Sequence, residues 1–202
     1  MDSLRLIVGL GNPGEEYART RHNAGFLALD ELGRRRQAAW KRERKFDAMV
    51  AKTATESGAL LLGKPETFMN ASGKAVAALA AFYRVAPANC LVVVDDADLP
   101  LGELRMRPAG SSGGHHGLES IEEHLGTREF PRLRIGIGRR GPVRAITGHV
   151  LGRFGRDEAE IVEKVLERAA DQAECWLNEG IQKAMNKFNG TVISPNNEGQ
   201  AQ

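Results

Sequence analysis

Residues 90–94, Cys-Leu-Val-Val-Val, run without a polar interruption into Asp95, Asp96, Ala97 and Asp98. Five consecutive apolar residues, three of them β-branched, have the signature of a central strand buried on both faces. Such strands belong to parallel sheets covered by helices on each side. The abrupt change to acids marks the carboxyl end of the strand, where open α/β sheets form their sites.

The rest of the chain supplies matching elements. Residues 4–8 read as a second buried strand and residues 132–138 (RLRIGIG) as a third. LRMR at 104–107 alternates and predicts a half-exposed strand, while segments 46–53 and 59–64 flank a turn and predict a hairpin. Helical spacing is present over 24–36, over 71–84 (Val76, Leu79, Ala80, Tyr83) and after the glycine-rich GSSGGHHG, where Leu118, Ile121 and Leu125 precede Gly126. Asn70 stands at an N-cap position for the second of these. The best helix covers 157–179, with Ile161, Val165, Ala169, Ala173 and Trp176 on one side. The fold class is α/β: a single domain, a mixed β-sheet flanked by helices. The domain is expected over 1–190, with 191–202 as a flexible C-terminal tail.

Composition narrows the class further. The chain has 202 residues, 42% hydrophobic and 27% charged, enough for one domain with a core. No apolar run approaches the roughly 20 residues that span a bilayer. The N-terminus lacks a basic leader, so no signal peptide and no membrane partner are expected. Cys90 and Cys175 stand alone, which suggests neither a zinc site nor a disulfide and fits a reducing cytoplasm. Net charge is +2, but eight arginines and one acid lie between 128 and 156. That segment is either a solvated surface or a polyanion contact.

GLGNPG at 9–14 matches the G-x-G-x-x-G turn of dinucleotide-binding domains letter for letter. The context does not follow. No apolar helical face starts after Gly14, and the first helix is expected near Asn23. The acids about 20 residues on, Asp30 and Glu31, fall inside that helix. Pro13 also removes an N–H from a loop whose task is to donate N–H groups to phosphate. No nucleotide cofactor is expected.

Polar residues gather at three strand ends instead: Asn12 with His22 ten residues on, Asp95 with Asp96 and Asp98, and His115 with His116 in the glycine-rich loop. A carboxylate that orients an imidazole, an imidazole that deprotonates water and an amide that holds an oxyanion make a hydrolytic set. No G-x-S-x-G elbow is present, which favours attack by water over a covalent intermediate. Plain structural readings stand beside these. Asn12 suits a turn next to Pro13, His22 and His115 or His116 suit helix caps, and the acids suit a solvated turn or a divalent metal short of ligands.

Longer blocks then resemble one family. LIVGLGNPGEEYARTRHNAGF, ETFMNASGKAV, DDADLPLGELRMRPAGSSGGHHGLESI and FPRLRIGIGRR, in this order, are similar to the motifs of bacterial peptidyl-tRNA hydrolase, from about residue 4 to residue 189. The resemblance implies a monomeric, metal-independent, cytoplasmic esterase that frees tRNA from peptidyl-tRNA and needs no cofactor. It implies His22 as the base, Asp95 as its partner and Asn12 as the residue that positions the ester. It assigns Asn70 to the peptide main chain, Tyr17 and Met69 to the cleft lining, and His115 to the histidine of the family's G-G-H-N-G loop. His116 departs from the asparagine usual there, which puts that substrate contact in doubt. Arg105 and Arg107 match positions facing tRNA phosphate. Arg139 and Arg140 fall in the arginine-rich segment, beside a Gly-Pro loop (141–142) that covers the cleft in the family. The same fold also serves non-catalytic RNA-binding relatives, which leaves that class as the alternative.

Overall fold

The computed structural model describes residues 4–55, 58–139 and 146–192. Its strands are β1 (Arg5–Gly9), β2 (Lys41–Glu43), β3 (Ala48–Thr55), β4 (Gly58–Pro65), β5 (Cys90–Asp96), β6 (Glu103–Arg107), β7 (Arg132–Gly136) and β8 (Gly190–Thr191). Its helices are α1 (Ala24–Arg35), α2 (Ser72–Tyr83), α3 (His116–Leu125), α4 (Ile146–Val150), α5 (Ala159–Glu179) and α6 (Ile181–Phe188). One sheet takes all eight strands in the order β2-β3-β4-β1-β5-β7-β6-β8. The middle four, β4, β1, β5 and β7, are parallel; both flanks are antiparallel. The sheet is therefore mixed, and CLVVV is its most enclosed strand.

Each face carries its own core. Ile7, Leu91 and Val93 point toward α1 and α5, where Leu29, Leu32, Val165, Ala169 and Trp176 meet them. Leu6, Val8, Val92 and Val94 point the other way, toward Val76 and Leu79 of α2 and Leu118 and Ile121 of α3. A continuous apolar run is what two such layers require, since successive side chains alternate between them. Burying each Leu or Ile there contributes roughly 2 kcal/mol.

The glycines of GLGNPG serve this packing. Gly9 lies against the backbone carbonyl of Gly25 in α1, and Gly25 in turn lies against Leu10 and the carbonyl of Val93. A Cβ at either position would run into backbone. A Cβ at Gly11 would stand 2.7 Å from the Phe26 ring. Helix α1 starts at Ala24, ten residues after Gly14, so no helix N-terminus sits at the glycine turn. The first glycines of the match are spaces into which α1 settles.

Other expectations need adjustment. Asn70 does not cap α2: Met69–Ala71 form a 3-10 turn, the N-cap is Ala71, and no side chain bonds there. The tail boundary also moves. Thr191 belongs to β8, and Val192 donates its N–H to Gly102 O at 2.7 Å and packs on the core. Residues 193–202, Arg140 and the Gly-Pro loop at 141–142 lie outside the described residues. The sequence patterns had not distinguished β2, α4, α6 or β8. Helix α6 is held by Gln172, whose Nε2 donates to Ala184 O at 3.1 Å. Asn189 just beyond it bonds both the N–H and the C=O of Met106 on β6, at 2.7 and 3.2 Å.

Candidate active site

Four side chains converge at the carboxyl ends of β1 and β5. Asp95 closes the apolar run of β5 and is 2% exposed. His22 sits in the 3-10 turn Arg21–Asn23 that leads into α1. The glycine contact that seats α1 on β1 and β5 also delivers this turn to Asp95. His22 Nδ1 lies 3.0 and 3.1 Å from the two carboxylate oxygens. From the opposite face, His115 Nε2 lies 3.1 Å from Asp95 Oδ1. The two imidazole centroids are 5.1 Å apart.

Hydrogen bonding fixes the tautomers. His115 is the N-cap of α3, and its Nδ1 accepts the N–H groups of Gly117 and Leu118 at 3.1 and 3.4 Å. Nδ1 therefore carries no proton, and Nε2–H must be the donor to Asp95. His115 is the expected cap of α3, and the same ring also bonds Asp95. His22 differs: Nδ1–H donates to Asp95, and Nε2 has no partner among the described residues. Burial pushes the Asp95 pKa up, but His115 and His22 more than offset this and hold the carboxyl below the usual range. Asp95 is thus a buried anion satisfied by two imidazoles.

Asn12 is oriented as firmly. Its Oδ1 accepts the Met69 N–H at 2.8 Å, which leaves Nδ2 without a partner among the described residues. Asn23 bonds the backbone of Asn12 on both sides: Oδ1 accepts the Asn12 N–H at 2.9 Å, and Nδ2 donates to Asn12 O at 3.0 Å. Asn23 is buried, and sequence reasoning passed over it. Its place beside His22 in R-H-N was the one available signal.

A cleft of about 310 Å3 opens over these groups, lined by Asn12, His22, Asp95, His115 and His116, with Asp96, Asp98, Arg134, Arg139, Val150 and Leu151 around them. Asn70, Tyr17, Met69, Arg105 and Arg107 are not in that lining. Met69 is buried and reaches the site through its backbone bond to Asn12. Exposed Asn70 follows it in the same turn. Tyr17 is half-buried in the turn between Asn12 and His22. His116 opens α3, exposed, with Nδ1 3.0 Å from Glu119 Oε2.

The arginines divide by partner. Arg134, which sequence reasoning had not singled out, donates to Asp96 Oδ2 at 3.0 Å and to Ser111 O and Ser112 O at 2.9 and 3.0 Å. It ties the glycine-rich loop to the acidic turn. Arg132 is buried, bonds the carbonyls of Gly110, Ser111 and Arg128, and has its pKa pushed down to about 10 by burial and by Arg134. Arg139 pairs with Asp98. Arg105 and Arg107 project from the outer face of β6, opposite Arg134 and Arg132 in register. Of the described arginines in the 128–156 segment, Arg128, Arg132, Arg134 and Arg139 are thus committed within the fold.

His22, Asp95 and His115 offer ligand atoms within 4.8 Å of one another. His22 Nδ1 and His115 Nε2 are already spent on Asp95, and His115 Nδ1 on backbone. One imidazole nitrogen remains, against the three protein donors of a catalytic zinc site. The donor set does not fit a resident metal. It fits an imidazole held by a carboxylate with its second nitrogen directed to a cleft.

Fold and site together are those of a single-domain hydrolase of the α/β class, with a histidine–aspartate pair and no nucleophile elbow. Known proteins narrow the class: the chain belongs to the peptidyl-tRNA hydrolase family, whose sequence model, described as Peptidyl-tRNA hydrolase, matches residues 6–197. A peptidyl-tRNA hydrolase of Gloeobacter violaceus is 47% identical over 186 residues, covering 92% of this chain and 94% of that one. One from Symbiobacterium thermophilum is 50% identical over 187 residues, covering 92% and 98%. The crystal structure of peptidyl-tRNA hydrolase from Acinetobacter baumannii superposes with a TM-score of 0.89 at 36% identity, covering 96% of this chain and 98% of that chain.

Proposed function

We propose that the protein hydrolyses the ester joining a peptide to tRNA, recycling tRNA during translation. One observation carries this reading: Asp95 holds His22 through Nδ1 and leaves Nε2, at the cleft, without a partner among the described residues. Nε2 takes a proton from water as the water oxygen attacks the ester carbonyl. Asp95 steadies the imidazolium that forms, and Asn12 Nδ2 donates to the carbonyl oxygen as it gains charge. The tetrahedral intermediate collapses by breaking the bond to the ribose oxygen, which takes the proton back from His22. Base and oxyanion donor typically contribute on the order of 10²–10⁴-fold each.

Specificity follows from the α-nitrogen. Peptidyl-tRNA presents an amide there, and free aminoacyl-tRNA an ammonium. Asn70 bonds the amide and leaves the ammonium without a partner, which favours the peptidyl form. Tyr17 and His116 complete the substrate-binding side, with Met69 and His115 supporting it by holding Asn12 and Asp95. Arg105, Arg107, Arg139 and Arg140 meet tRNA phosphate, with the Arg139–Asp98 pair opening to do so. We read the protein as a cytoplasmic monomer. Among the described residues no helix is long and apolar enough to cross a membrane.

The test is cleavage of N-acetyl-aminoacyl-tRNA by wild type and by His22→Ala. Turnover by wild type alone supports the reading. Equal inertness of both proteins overturns it and leaves an RNA-binding relative without activity.

A further inference from the structure

A second groove of about 940 Å3 lies outside the cleft, between the N-terminal part of α5 and the outer side of α1. Leu27, Phe154, Val162 and Leu166, all half-buried, make it apolar. Arg19, Arg153 and Arg156 stand around it, all exposed. Glu163 is the acid in its lining, and Asp157 lies next to Arg156.

These three arginines differ from those of the 128–139 stretch. Arg128, Arg134 and Arg139 each pair with a carboxylate, and Arg132 is buried among carbonyls. Arg21, close by, is buried too and pairs with Glu158 at 2.7 Å. The side chains of Arg19, Arg153 and Arg156 make no hydrogen bond or ion pair among the described residues. Three guanidinium groups without a partner among the described residues leave the rim of this groove positively charged.

The groove is joined to the catalytic turn. Thr20 and Arg153 form a β-bridge, and the Arg21 N–H donates to Gly152 O at 2.9 Å. His22 is the next residue on one side of this junction. On the other, Val150 and Leu151 line the cleft. One segment, 150–156, thus runs from the cleft wall to the basic groove.

We propose that Arg19, Arg153 and Arg156 bind the sugar–phosphate backbone of the RNA substrate, a contact additional to the arginines of β6 and residue 139. The inference rests on the hydrolase reading. A polyanion tethered by its ester at His22 meets this surface without a separate association step, which favours RNA over an independent acidic protein. Guanidinium forks suit phosphate oxygens, and the apolar floor suits the face of a ribose or base.

The experiment compares wild type with Arg19→Gln/Arg153→Gln/Arg156→Gln, measuring tRNA binding over a salt series and hydrolysis of two substrates. One substrate is N-acetyl-aminoacyl-tRNA; the other is an N-acetyl-aminoacyl ester of adenosine, which has no phosphate. The salt slope should flatten by about 0.7–0.9 for each phosphate no longer neutralised, about 2–3 in all. At low salt, kcat/KM on the tRNA substrate should fall about tenfold, with the adenosine ester cleaved as by wild type. An unchanged slope and unchanged kcat/KM on tRNA overturn the proposal and leave the groove to an acidic protein or to solvent. Equal losses on both substrates also overturn it, by showing damage to the cleft. Failure of wild type to cleave either ester would sink the hydrolase reading itself, a different outcome from failure of the groove.

Discussion

The turn that carries His22 and the loop that carries His115 reach one carboxylate from opposite faces of the sheet. Both imidazoles donate to Asp95 at nearly equal distance. They differ in the other nitrogen. In the turn it has no partner among the described residues; in the loop it caps α3 by accepting backbone N–H groups. Distance to the carboxylate therefore does not identify the base. The second bond does, because an imidazole with both nitrogens spent has no lone pair for water.

Substitutions can break this contrast. The largest loss belongs to His22→Ala, which should lower kcat on N-acetyl-aminoacyl-tRNA by about 10³-fold, within the range for a positioned base. Asp95→Asn comes next, at about 10²-fold, because an amide offers one acceptor oxygen and turns an NH2 toward a ring N–H. That variant also has a sign to check against pH. The Asp95 pKa is lowered in the fold, so ionisation stabilises the native state above the unfolded-state value near 3.9 and ceases to do so as pH falls toward the folded pKa. Wild type should melt above Asp95→Asn at pH 7, with the gap narrowing below about pH 4. A gap that widens on acidification would show that the carboxylate is not held by its imidazoles.

His115→Ala should cost about tenfold in kcat, together with roughly 1 kcal/mol of stability from the missing cap, read as a lower Tm. A kcat loss equal to that of His22→Ala would make the two histidines equivalent and end the comparison. His116→Asn should leave turnover within a few-fold, since His116 is exposed and bonds Glu119 rather than Asp95. A loss beyond tenfold would give His116 a role of its own.

Much of this arrangement was legible in the chain. The step from CLVVV into acids placed Asp95 at a strand end, and two more polar clusters marked the other ends. Local pattern carries that much, because burial on both faces and strand termination are properties of a few neighbouring residues. What escaped is carried by contacts distant in sequence or by groups with no distinctive local pattern. The bond from Met69 to Asn12 spans 57 positions. Arg134 reads as one of many surface cations until β7 sets it beside Asp96. Helix α6 has eight residues, and its seat on Gln172 and its neighbours is tertiary. Asn70 had the composition of a cap, but the 3-10 turn before α2 took the start of the helix one residue further.

The close seat of α1 on the sheet has a consequence for how the protein fails. His22 is placed by a backbone-to-backbone contact at Gly9 and Gly25, inside the most enclosed part of the molecule. Displacing the turn that carries it means lifting a core helix. Such an opening belongs to the global cooperative unit rather than to a fraying loop. Heat should therefore inactivate the enzyme and unfold it in one transition, and amides of α1 and β5 should exchange with solvent at the same slow, whole-molecule rate.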